Sequence, residues 1–324
     1  MAPPVPATSP TLSVLPADRR IWDLSNQWLN LALISGTWGS SFLLVKVISS
    51  SVPPFAFAAE RGFIAMAALT AWLAVRNVAA SCSDRKYKLP TWDYLRHMVV
   101  LGTTNGWLAN VLTAVAVRHA DSAVVAMIQA TVPLMVVILA HFLFVEEKFK
   151  LHQLAGVSTG LVGILLIIGP LAVFGGGGTL IGIGAMLLTA FCYASGTVYG
   201  RRVAGADPVS LACGQQAFGA LVASAISVLT ESVAIWNQSI TVWLLLATLG
   251  VMCSAVPTVL YLKLLARTAS VLAALVAYLQ PVWATLLGWV VLGEHISAVA
   301  ILGTGLVFVA IMVTTGPRVG RGSA

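Results

Sequence analysis

Three charged residues, Lys46, Glu60 and Arg61, lie clearly inside apolar stretches of a chain that carries 18 Lys and Arg and 11 Asp and Glu. A charge in hydrocarbon needs a partner or a water-filled cavity. Lys46 and Glu60 each stand seven residues from Pro53. In a hairpin that turns at Pro53, both would lie about 10 Å below the turn, at ~1.5 Å of rise per residue. An ion pair between them would pin the hairpin. Alternatively Lys46 snorkels outward, or one of the three charges meets a solute or a proton. Glu60 is the one deep carboxylate, so any carboxylate-borne proton would fall to it.

Polar and aromatic side chains form a second set. Thr103, Trp107 and Asn110 are spaced i, i+4, i+7 and share a helix face. Gln129 and Pro133 share another, as do Tyr278, Pro281 and Thr285, with Gln280 and Trp283 beside them. Tyr193, Ser195 and Tyr199 follow one another on a further segment, and Trp38 lies deep in the first. Amides in lipid lack partners, so Asn110, Gln129, Gln216 and Gln280 should point inward. There they either tie helices together or line a cavity. A lining of Asn, Gln, Tyr and Trp suits a small polar or zwitterionic solute with an apolar part. Pro133 and Pro281 free a carbonyl and bend their helices, as hinges or as fixed kinks.

The elements that position these groups follow from composition. The chain is 59% hydrophobic and 9% charged, with mean hydropathy +0.93. Soluble domains carry about 25% charged residues, so this is a membrane protein. Ten apolar segments, each of roughly the length that crosses a bilayer, run near 28–48, 55–75, 97–117, 122–144, 153–172, 179–199, 209–229, 240–262, 269–291 and 297–315. Residues 1–27, rich in Pro, Ala and Ser, read as a disordered cytosolic lead without a cleavable signal. Residues 317–324 read as a cytosolic tail.

The segments repeat. A shift of 155 carries Trp38 onto Tyr193, Lys46 onto Arg201, Pro53 onto Pro208 and Arg61 onto Gln216. Pro133 and Glu146 are thirteen apart, as are Pro281 and Glu294. Residues 28–172 and 179–316 are thus two five-helix units. Fifteen of the 18 Lys and Arg fall in cytoplasmic segments if both termini are inside, and only Arg118 falls outside. Five is odd, so the two units cross in opposite directions. The expected fold is all-α and integral to the membrane, with ten transmembrane helices as two inverted repeats, an architecture of secondary transporters.

Other classes fit poorly. The basic residues are scattered over short loops, which excludes a nucleic-acid partner. Cys82, Cys192, Cys213 and Cys253 form no metal spacing, and no cofactor motif is present. Gly175 to Gly178 lacks the Lys-Ser/Thr ending of a phosphate loop. An intramembrane enzyme would need acids, histidines or a metal cluster at one interface, which the exterior loops do not carry. Gly156, Gly160 and Gly163, and likewise Gly102 and Gly106, have small-xxx-small spacing, which serves packing inside the bundle or a homodimer face.

The pattern resembles the EamA-type carriers of the drug/metabolite transporter superfamily. The matching residues are Trp38-Gly39-Ser40-Ser41-Phe42, Pro54 to Arg61-Gly62-Phe63, Ala126 to Pro133-Leu134, Tyr278-Leu279-Gln280-Pro281 and Leu292-Gly293-Glu294. The first unit has Val145-Glu146 where the family pattern has Gly-Glu. The resemblance implies a ten-helix carrier of the inner membrane that works by alternating access. It implies an exporter of amino acids or related small metabolites, with import or exchange as the alternative. A membrane protein without flux is a further alternative. The resemblance also carries Arg61 over as a group that sets the cavity's electrostatics. Lys46 and Glu60 match no motif of the family.

Overall fold

The computed structural model describes residues 17–79, 95–120, 122–144, 150–168, 179–203, 205–231, 237–292 and 298–315. All its regular elements are helical. They are α1 (Ala17–Ser49), α2 (Pro54–Ala79), α3 (Leu95–Leu101), α4 (Leu108–His119), α5 (Ser122–Gln129), α6 (Val132–Leu143) and α7 (Leu151–Ile168), then α8 (Leu180–Arg202), α9 (Pro208–Thr230), α10 (Ile240–Gly250), α11 (Val256–Arg267), α12 (Ser270–Ala274), α13 (Val276–Leu292) and α14 (Ala298–Thr315). π-helical turns at Gly102–Trp107 and Val251–Ala255 join α3 to α4 and α10 to α11.

Among the described residues, six helices are long and apolar enough to cross a membrane, and four shorter apolar helices accompany them. Two of the expected segments are interrupted. The segment expected at 122–144 divides at Ala130-Thr131, and the one at 269–291 divides at Leu275. The first break comes just before Pro133, which has no N–H to return to the Gln129 carbonyl, and the second comes six residues before Pro281. Pro133 sits in the first turn of α6, where a missing N–H costs nothing. Pro281 lies inside a continuous α13. Residues 17–27, expected as part of the lead, instead open α1. Residues 1–16 and 317–324, Glu146 and Glu294 lie outside the described residues.

Helix contacts pair the two halves of the chain. The closest run between α7 and α14, between α2 and α9, between α4 and α8, and between α1 and α13. Small residues permit this proximity, because van der Waals packing is the main attraction between helices in lipid. A Cβ on Gly163 would come within 2.7 Å of the Gly303 carbonyl oxygen, and one on Gly156 within 3.0 Å of the Ala310 oxygen. A shift of 147 carries Gly156 onto Gly303 and Gly163 onto Ala310, so the two contacts are counterparts. The glycines of α7 are therefore used inside the bundle. Gly102 is likewise pressed against Gln215 and Phe218 of α9.

Candidate functional site

A cavity opens between the two halves, with about 1020 Å³ of empty space, open solvent at its mouth included. Trp38, Ser41, Phe42 and Val45 line it from α1, at the i, i+3, i+4, i+7 spacing of one helix face. Arg61 enters from α2, Tyr193 and Thr197 from α8, and Gln215 and Gln216 from α9. Gln129 and Gln280 come from α5 and α13, and Tyr261 from α11. Nearly every segment except α7 and α14 contributes.

Arg61 is the one formally charged residue of this lining, and it is held at three points. Its Nε donates to Ser254 Oγ at 2.6 Å, one terminal nitrogen to Asn110 Oδ1 at 3.0 Å and the other to the Cys253 carbonyl at 3.3 Å. The indole N–H of Trp38 donates to the same carbonyl at 3.1 Å. That carbonyl is free for a local reason. The residue four further on is Pro257, which has no N–H to return to it, and the π turn at 251–255 already displaces the ladder. Ser254 Oγ in turn donates to Leu249 O at 3.0 Å, five residues back. A broken helix of one half thus anchors a cation and an aromatic ring of the other. The ring of Trp38 lies 5.1 Å from that of Tyr261, whose hydroxyl pairs with Thr197 Oγ1 at 2.7 Å.

Of the residues singled out from sequence, Trp38, Arg61, Asn110, Gln129, Tyr193, Gln216 and Gln280 meet in this cavity. Five do not. Lys46 is exposed beside Leu43 and Val47, one residue past the cavity-facing Val45; among the described residues it makes no ion pair with Glu60, in line with the alternative that it extends outward. Glu60 is 1% exposed, and neither carboxylate oxygen has a hydrogen-bond partner among the described residues. It immediately precedes Arg61 in the chain but is not part of the lining. Trp107, like Phe55 and Phe63, packs against the buried cluster of Ala58, Ala59, Val111 and Ala223. Tyr278 is fully buried against Gly160, its hydroxyl donating to Val157 O at 2.6 Å. Trp283 rests on Gly36 and Gly39, and its indole donates to Ser35 Oγ at 3.1 Å. Pro133 opens the helix after the first break, whereas Pro281 lies inside a continuous helix and marks none.

The lining also holds groups the stripe analysis passed over: Asn105, Thr113, Thr197, Gln215, Ser254 and Tyr261. The π turn explains Asn105. Gly106 within it leaves helical geometry (φ −102°, ψ −116°), so regular spacing does not carry across this stretch, and Asn105 lines the cavity with Asn110 where Thr103 and Trp107 do not. An internal proline flanked by small residues, Cys253-Ser254-Ala255-Val256-Pro257, was the available signal for the break beside Arg61.

A bundle of apolar helices around a polar cavity, fed by both halves, is the setting for the comparisons with known proteins. The family model described as EamA-like transporter family matches residues 26–169 and again residues 180–316. The chain belongs to the EamA-like transporter family. It is 28% identical over 289 residues to the protein of Escherichia coli (strain K12) named "Uncharacterized inner membrane transporter YedA", covering 86% of this chain and 87% of that one. It is 24% identical over 290 residues to "Uncharacterized transporter YoaV" of Bacillus subtilis (strain 168), covering 88% and 96%. "Protein PecM" of Dickeya dadantii (strain 3937) matches at 27% over 230 residues, covering 69% and 75%. A solved structure titled "Crystal structure of protein" shares the fold, with TM-score 0.71 at 21% identity over 90% of this chain and 96% of that one. As a member of the EamA-like family the chain is a multi-pass membrane transporter, and the cavity around Arg61 is its candidate solute site.

Proposed function

We propose that this protein is a secondary carrier of the inner membrane that exports small metabolites, amino acids or related compounds, by alternating access. The observation that carries the reading is the cavity itself: it lies between the halves, and positions related by the repeat, Arg61 and Gln216, both face it. In this reading the four shorter apolar helices also cross the membrane. The two units are then inverted five-helix repeats with both termini in the cytoplasm, which the distribution of Lys and Arg supports. The inner-membrane location is supported by the names of relatives such as YedA. Breaks in the helices around the cavity supply joints at which one half rocks against the other. The proton is the coupling ion, carried by Glu60, whose buried carboxyl lacks a partner among the described residues.

The test compares cells overproducing the protein with cells overproducing Arg61→Ala at equal membrane abundance, by untargeted mass spectrometry of medium and cytosol. Accumulation of one compound class outside the wild-type cells alone is expected. Depletion of a compound from the medium would reverse the direction. Equal profiles, together with no flux in proteoliposomes loaded with cell extract, would sink the carrier reading.

A further inference from the structure

The cavity wall has an unbalanced set of hydrogen-bonding groups. Among the described residues that line it, the one formal charge is positive and none is Asp or Glu. Arg61 spends three N–H groups on Ser254, Asn110 and the Cys253 carbonyl. A guanidinium has five in a rigid fork, so two remain. Their natural partner is a carboxylate, which matches that fork in charge and shape.

A second observation is independent of Arg61. Gln129 and Gln215 line the cavity and are 7% and 2% exposed, yet among the described residues the amide oxygen of each has no hydrogen-bond partner. A buried acceptor without a donor is costly. Both oxygens are themselves shut off from solvent but belong to side chains that line the cavity, so an amide that turns toward a ligand's N–H or O–H gains the missing bond. A simple cation would satisfy the amide oxygens but would sit beside Arg61 with nothing to neutralise either charge. An acid without a donor would satisfy Arg61 and leave both amides bare. We propose that the cavity binds a small organic carboxylate that also donates hydrogen bonds, with an apolar or aromatic part against Trp38 and Tyr261, and that it rejects monocations of the same shape. This rests on the carrier reading for its purpose, though not for its evidence.

Three near-isosteric probes separate the two requirements: 4-hydroxyphenylacetate has the acid and the donor, phenylacetate the acid alone, tyramine the donor and a cation. Equilibrium binding to the purified full-length protein in detergent should rank them in that order. The donor should be worth about tenfold in affinity, as for one good hydrogen bond. Tyramine should bind at least tenfold more weakly than phenylacetate. Arg61→Gln should remove the preference for acid over cation, and Gln129→Met should shrink the gap between the two acids. Tyramine binding as tightly as 4-hydroxyphenylacetate to the wild-type protein overturns the proposal without any variant, and so does binding of none of the three. Counterflow in proteoliposomes tests the carrier reading separately. Flux of a cation with no acid binding would keep the carrier and discard this ligand class. Acid binding without any flux would do the reverse.

Discussion

The carbonyl oxygen of Cys253 accepts from Trp38 and Arg61 because Pro257, four residues on, has no N–H to offer it. A backbone defect in one half is the socket for the cavity's charge and its ring in the other. Pro257→Ala restores a competing donor. We expect the helix to regularise, apparent thermal stability to hold or rise, and flux to fall several-fold. Unfolding curves and proteoliposome flux on the same preparation check both directions; an unchanged flux would mean that the free carbonyl is incidental.

Arg61→Lys keeps the charge and loses the fork. An ammonium cannot span Ser254 Oγ, Asn110 Oδ1 and the Cys253 carbonyl together while presenting two further donors. Transport should fall at least tenfold while protein yield stays near wild type. A lysine variant with wild-type kinetics would reduce Arg61 to a point charge.

Glu60→Gln replaces the buried, partnerless carboxyl with an uncharged group of its shape. If Glu60 carries the coupling proton, uphill transport driven by an imposed pH gradient is lost while downhill exchange persists. A variant that still concentrates solute against its gradient would remove Glu60 from the coupling.

Glu231 closes the first turn of α2 from the end of α9. Its carboxylate accepts from the backbone N–H of Phe55 at 3.1 Å and of Ala56 at 2.9 Å, and from Ser227 Oγ at 2.7 Å. A carboxylate at a helix N-terminus is worth about 1–2 kcal/mol. Glu231→Ala should therefore lower the unfolding temperature measurably. Thermal melts at matched lipid content would show it, and a melt superimposable on wild type would refute the cap.

Gly160→Val drives a side chain into the Tyr278 ring. Overpacking of this kind costs about 1–3 kcal/mol or more, so folded yield and melting temperature should drop. Gly184 has nothing within 4 Å of its added Cβ, and Gly184→Ala should be silent in the same assay.

Much of this site was legible in the residues. Apolar length located the segments, and the cost of an amide in lipid turned Asn110, Gln129, Gln216 and Gln280 inward. What failed did so for local reasons. Tyr278 and Gln280 are two residues apart on α13, about 200° around a helix, so both could not face one cavity, and the amide took it. Depth alone sets Lys46 level with Glu60, but Val45 holds the cavity side of α1. Thr103, Trp107 and Asn110 share a face only on a regular helix, and Gly106 leaves helical geometry within that run. Glu60 and Arg61 illustrate the limit most plainly. They are neighbours of equal depth, and only the packing of α2 decides which one faces the cavity.

The two α7–α14 contacts, Gly163 with Gly303 and Gly156 with Ala310, are the same contact seen twice. Such a seam is isologous, as between two copies of one subunit. Two identical subunits would have to place the same residue at both positions now held by Arg61 and Gln216. A pair of guanidinium groups would then face each other across one cavity. Joining the copies in one chain frees each position to differ, so the cavity keeps a single cation with a neutral amide as its counterpart. Asymmetry of charge is what a continuous chain makes available here and a symmetric dimer forbids.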